Sequence, residues 1–222
     1  MPRRRPRWVR AAVRALPSPG GTPFTFAYGV VLAGTSLFME CADPDTVAAL
    51  LQASSTDVAH LVRSPVVALG ASALWIAGGV TSPLVLAFLV VLSALERRTG
   101  GRTTAAVFLL GHVLATLATE IPVGLSVMAG HLPDTSLHRL DYGISFGVAA
   151  SVGALAGLLT PWPRWLVLGA FTAMLVADLL TFTDPMTSWG HLLALGVGLT
   201  TWPLLRPLAR APRTARRGTP PG

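Results

Sequence analysis

The 222 residues predict an all-α fold, a polytopic membrane protein built as a bundle of six transmembrane helices. Three observations carry this expectation. Hydrophobic residues make up 52% of the chain and charged ones only 12%, about half the charged share of a soluble domain. The apolar residues fall in long blocks rather than in amphipathic stripes, so the solvent they match is lipid. The arginines, 17 in all with no lysine, gather in the two tails and beside the ends of the apolar blocks. A net charge of +7 placed in this way fits orientation in a membrane and attraction to anionic lipid, and no nucleic-acid partner is expected.

The chain divides into a basic tail over 1–22, a membrane domain over 23–205 and a tail over 206–222 whose arginines and prolines predict disorder. The first span is expected from Phe24 to Met39. It lacks a small-x-small cleavage site and reads as a retained anchor. Phe38-Met39-Glu40 before the single cysteine, Cys41, does not fit a lipoprotein, and one cysteine allows neither an internal disulfide nor a cysteine metal site. A polar loop from Glu40 to Ser64 follows, with a short helical pattern at Val47, Leu50 and Leu51.

The second apolar region, Pro65 to Leu95, is longer than a bilayer core of about 30 Å needs. A single span kinked or tilted at Gly78, Gly79 and Pro83 is expected, with a re-entrant pair as the alternative. Glu96 to Arg102 forms a tight basic turn, and the third span runs from Thr103 to Glu120, ending before Pro122. A loop with His131, Pro133, His138 and Arg139 leads to the fourth span, Asp141 to Leu159. After the turn Pro161-Trp162-Pro163-Arg164 come the fifth span, Trp165 to Phe182, and the sixth, Gly190 to Leu205. With the N-terminus inside, 15 of the 17 arginines are cytoplasmic, Arg63 and Arg139 being the exceptions. That asymmetry predicts both termini on the cytoplasmic side of the membrane.

Ionisable and polar side chains inside lipid are costly and mark candidate sites. Ser145 and His191 fall near the outer ends of the fourth and sixth spans, and His60 with Ser64 opens the second, so three helices place them in one layer. Small-residue stripes, Gly143-Gly147-Ser151 and Gly190-Ala194-Gly198, allow close helix approach. If they face each other, Ser145 gains a histidine within hydrogen-bond reach, the pairing that makes a serine hydroxyl nucleophilic. Such stripes also serve as packing glue for any helix pair. Donors for a developing oxyanion are the Ser145 backbone N–H, the His60 imidazole and the Ser64 hydroxyl.

Other polar groups have plainer readings. His112 and Asp178 can pair across the bundle, as a packing contact or as a proton relay. Asp141 is expected to cap the fourth helix, or to orient His191 as a third member. Glu120 reads as solvated, and His131 and His138 lack a third ligand, so neither a metal nor a cofactor is expected. Trp8, Trp162, Trp165, Trp189 and Trp202 read as interfacial belt residues.

Four blocks resemble the rhomboid intramembrane serine proteases, especially their divergent bacterial relatives. His60-x-x-x-Ser64 is similar to the family's His-x-x-x-Asn, and Glu96-Arg-Arg-Thr-Gly100-Gly101 to its Glu-x-x-x-Gly-Ser turn. Gly143-Ile-Ser145-Phe resembles Gly-x-Ser-Gly, and His191-Leu-Leu-Ala194 through Gly198 resembles His-x-x-Gly-x-x-x-Gly. The resemblance implies a six-helix bundle with an outward-opening site, Ser145 as nucleophile, His191 as base, and His60, Ser64 and Gly143 in support. Its departures are Phe146 and Ala194 in place of glycines, Ser64 in place of an asparagine, and no Trp-Arg pair in the first loop. The expected partners are transmembrane protein substrates, in membrane lipid, and the resemblance to bacterial relatives implies the inner membrane of a bacterium. The alternatives are a catalytically inactive relative that binds client helices, or a small transporter using His112 and Asp178. Substrate identity and oligomeric state are not legible.

Overall fold

The structure, a computed structural model, describes residues 16–210, and those residues are helical with no strand among them. The expectations for the outer parts of both tails lie outside the described residues. Helix α1 spans Pro23–Cys41, in line with the expected first span. Its first turn is capped from a distant element: Glu96 accepts from the backbone N–H of Phe24 (2.9 Å) and Thr25 (2.8 Å) and from the Thr25 hydroxyl (2.6 Å). A carboxylate at a helix N-terminus meets orphan donors and the positive end of the helix dipole.

The loop after α1 holds two short helices. Helix α2, Pro44–Ala53, is capped by Asp43, and α3, Val58–Arg63, by Asp57. The long apolar region that follows is not one kinked span. It splits into α4, Pro65–Ser72, an irregular stretch with a 3₁₀ turn at Gly79–Thr81, and α5, Pro83–Thr99. Pro83 cannot donate to a preceding turn, and Gly78 and Gly79 take positive φ of 82° and 65°, a region closed to most side chains. The freed carbonyls find donors in the bundle. Tyr28 donates its hydroxyl to Ala73 O (2.5 Å), Thr35 to Leu74 O (2.7 Å), and Gly143 N–H to Ser72 O (2.9 Å). Irregular backbone at membrane depth is stable only when satisfied in this way.

Gly100 (φ +89°) ends α5, and α6 follows over Gly101–Met128. A Cβ on Gly101 would sit 2.9 Å from Glu96 Oε1 and 3.2 Å from Phe24, so the turn needs glycine for α1 to dock. Helix α6 does not end at Glu120 as expected. It runs through Pro122 for two further turns, with the Ser126 hydroxyl bonded to the Pro122 carbonyl (2.7 Å). Proline inside a membrane helix is tolerated where side chains and neighbours re-satisfy the backbone.

A loop with a 3₁₀ turn, Asp134–His138, leads to α7, Ser145–Ala156. The fourth helix is thus shorter than the expected 141–159 at both ends. At about 18 Å it is too short to cross a bilayer core alone. Every residue after Ser145 in α7 is buried, because α5, α6, α8 and α9 surround it. Its first residue, Ser145, is half-buried at one end of the bundle.

Helix α8, Pro161–Leu180, takes the expected turn at Pro161–Arg164 into its own first turn, where prolines fit. Helix α9 spans Pro185–Thr200 and begins before the expected Gly190, because Asp184 caps it by accepting from Thr187 N–H (3.1 Å). After a 50° bend comes α10, Trp202–Arg210. Residues 206–210, expected to be disordered, are therefore helical. Arg206 and Arg164 lie over the Trp202 ring at 4.8 and 5.3 Å and hold the bend against the C-terminal end of α7.

Helices α1, α6 and α8 are each long and apolar enough to span a membrane, and α9 with α10 makes a fourth candidate if the bent pair counts as one. The 17-residue α5 and the buried α7 complete a six-helix arrangement by position.

Candidate functional site

The Ser145 end of α7 is set by Gly143. Its φ of +122° lies where side chains rarely go, and its N–H reaches Ser72 O. Gly143→Ala is expected to lower stability by about 1–3 kcal/mol in detergent denaturation. An unchanged midpoint would contradict this account of the turn. Two residues on, Ser145 is the first residue of α7 and is half-buried. The leading N–H groups of a helix have no acceptor within it, so the Ser145 hydroxyl stands beside free backbone donors.

His191 sits in the second turn of α9, half-buried. Its ring meets Phe146 edge to face, with centroids 5.2 Å apart and planes at 77°. The small-residue stripe of α9 does face α7. Gly190 packs on the Phe146 ring and Gly198 on the Ala150 carbonyl, each too close to admit a Cβ. The opposing stripe is not the expected one. Gly147 faces Phe108 of α6, and the Ser151 hydroxyl bonds to Gly147 O (2.8 Å), so α7 meets α9 through Phe146, Ala150 and Gly153. Ser145 and His191 therefore stand on abutting helices at one end of the bundle, but no hydrogen bond joins them among the described residues.

The other expected members are placed differently. His60 lies on α3, not at the start of the second span, and its Nδ1 is held by the buried Asp57 carboxylate at 2.8–2.9 Å. Ser64 sits between α3 and α4; its backbone N–H caps α3 by donating to His60 O (2.8 Å), and its hydroxyl makes no cap bond to α4. The segment beside Gly143 is instead 72–77, with Trp75 O and Ala77 N within 4 Å of where a Gly143 Cβ would lie. This follows from the break at Gly78–Pro83, which turns the region before it into loop.

His112 and Asp178 do not pair. His112 is buried with Nε2 at 3.1 Å from both the Ser72 hydroxyl and Leu69 O, while Asp178 is exposed on α8. His112 thus pins the C-terminal end of α4 against α6, beside the Ser72–Gly143 contact. Asp141 does not cap α7, whose N-cap position is Ile144. Its carboxylate accepts from the Thr56 hydroxyl (3.1 Å), and its backbone pairs with Ser55 and Thr56.

Sequence reasoning missed the ionic hub at this end. Glu120, expected to be solvated, is 1% exposed, and Arg139 donates to it at 2.6 Å. The same guanidinium lies 3.8 Å from Asp141 and 3.6 Å from Asp184, the α9 cap. One arginine thereby ties α6, the loop before α7 and the start of α9. Burial pushes the Asp141 carboxyl up, against the opposing pull of Arg139 and the Thr56 hydroxyl. Burial also raises Asp184, but the Thr187 hydrogen bonds and Arg139 outweigh it and hold that carboxyl below its ordinary value. Burial disfavours the Arg139 cation, yet Glu120 and Asp141 more than offset this and hold it above its usual range. The signal in the sequence was Arg139 itself, an arginine on the side where the positive-inside pattern has few.

A buried central helix headed by a serine, crossed by a helix carrying histidine on a glycine stripe, and braced by a Glu96–Gly101 turn, is a specific combination. The family model for rhomboid-like proteins matches residues 19–211. The chain belongs to the rhomboid-like family. Comparison with curated proteins and with solved structures gives no match. For a rhomboid-like chain the matched span takes in α1 to α10, so membership covers the whole bundle, including the Glu96 turn that anchors α1.

Proposed function

We propose that this rhomboid-like membrane protein is an intramembrane serine protease, with Ser145 as nucleophile and His191 as general base. The observation that carries the reading is the abutment of the two helix ends. The α9 stripe at Gly190 packs so tightly on α7 that the His191 ring touches the residue next to Ser145. The dyad requires the Ser145 hydroxyl and a His191 ring nitrogen to come within hydrogen-bond reach of each other. The N–H groups at the start of α7 supply the oxyanion donors in place of His60 and Ser64. The substrate class is a membrane-anchored protein cleaved near the outer face, at the Ser145 end of α7. Arg97, Arg98, Arg102, Arg164, Arg206 and Arg210 flank the opposite end, which favours that end as the cytoplasmic one, in a bacterial inner membrane.

A second reading has its own observation. The Phe146 ring fills the place between α7 and α9 where the family pattern has a glycine, and it occupies an edge of His191. On that reading the protein binds client helices without cutting them. Co-expression with a tagged single-span reporter separates the two. Cleavage by the wild type that is absent with Ser145→Ala and with His191→Ala is the expected result. An intact reporter that co-purifies equally with all three would overturn the protease reading in favour of client binding.

A further inference from the structure

The end of the bundle away from Ser145 holds a cavity of 510 Å³ that the mechanism does not use. Arg98 from the end of α5, Arg164 from the first turn of α8, and Arg206 and Arg210 from α10 all line it, and among the described residues its lining holds no carboxylate. The guanidinium groups of Arg164, Arg206 and Arg210 around one cavity repel each other, and an arrangement of that kind is stabilised by a bound anion.

Two of the four are fixed in place before any ligand arrives. Arg164 donates from Nε to Ala156 O (3.1 Å) and from its terminal nitrogen to Leu159 O (2.7 Å). Arg206 donates from Nε to Gly157 O (3.2 Å). Both stack on Trp202, so their side-chain entropy is already lost. Among the described residues no hydrogen bond takes the two terminal nitrogens of Arg206, and such a fork suits a phosphate. Position narrows the class further. Trp162 and Trp165, on either side of Arg164 at the start of α8, are 80% and 65% exposed, as tryptophans at the headgroup level are.

The geometry points to a phosphate-binding site for an anionic phospholipid headgroup, seated among Arg98, Arg164, Arg206 and Arg210. The shared chemistry is a phosphate oxyanion, whose source is the adjoining leaflet rather than solution. Occupancy clamps α10 to the C-terminal ends of α5 and α7, the far end of the helix that carries Ser145.

The test uses the full chain in dodecyl maltoside. Native mass spectrometry measures binding of dioleoyl phosphatidylglycerol and of dioleoyl phosphatidylcholine, whose choline cancels the phosphate charge. Thermal unfolding with inorganic phosphate gives the third arm. Phosphatidylglycerol is expected to bind about tenfold tighter than phosphatidylcholine and to lose about tenfold in R206Q/R210Q. R210Q alone, an exposed position, is expected to lose about threefold and keeps the test valid if the double variant does not fold. Equal binding of the two lipids, or equal phosphatidylglycerol binding by wild type and R210Q, overturns the site. Stabilisation by inorganic phosphate as strong as by phosphatidylglycerol overturns the lipid assignment.

Discussion

Arg139→Met is expected to lower the stability of the folded protein by about 3–5 kcal/mol, because it strands a buried carboxylate. Glu120 is 1% exposed, its Oε1 has Arg139 as partner at 2.6 Å, and its Oε2 has none. Without the guanidinium the carboxylate must stay charged without compensation or take up a proton. Asp141 and Asp184, at 3.8 and 3.6 Å, lose the same counter-charge. The start of α9, the loop before α7 and the outer turns of α6 are then no longer tied together. Glu120→Gln in the same chain should restore about half of the loss, since it removes the stranded charge. Unfolding followed by tryptophan fluorescence in a denaturing-detergent titration reads both variants. A loss below about 1 kcal/mol for Arg139→Met would place the pair among the ion pairs that contribute little.

Glu96→Ala is expected to cost about 3 kcal/mol and to act on one element. The carboxylate accepts three hydrogen bonds from the first turn of α1, and bonds to a charged acceptor are worth about 1.5–3 kcal/mol each before relaxation. Thr22 offers no side-chain cap in its place. The loss should therefore appear as faster hydrogen exchange at residues 23–27, with α7 and α9 unaffected. Glu96→Gln, which keeps an acceptor oxygen, should lose less. Uniform exchange across the bundle in Glu96→Ala would contradict the idea that this residue is a cap.

The sequence and the structure agree where the signal was long or local. The apolar blocks of α1, α6 and α8 were legible from hydropathy, and the α9 stripe from the spacing of Gly190, Ala194 and Gly198. The Gly100-Gly101 turn was legible as a turn, but its purpose was not. Nothing local says that Glu96 reaches back over 70 residues to cap α1, although an acid inside a basic turn was a hint. The split at Gly78–Pro83 was misjudged because composition alone does not reveal that Tyr28, Thr35 and Gly143 satisfy the broken backbone. That single error displaced His60 and Ser64 from the second span. The passage of α6 through Pro122 and the burial of Glu120 against Arg139 are tertiary outcomes. In each a local preference yielded to a partner distant in sequence.

The central claim is that Ser145 is an activated serine. Labelling of the purified protein with a fluorophosphonate probe tests it directly, with wild type beside Ser145→Ala and His191→Ala and folding checked by thermal unfolding. Labelling of the wild type that vanishes in both variants is the predicted result. A folded wild type that stays unlabelled, or a Ser145→Ala variant that labels as strongly as the wild type, would contradict it.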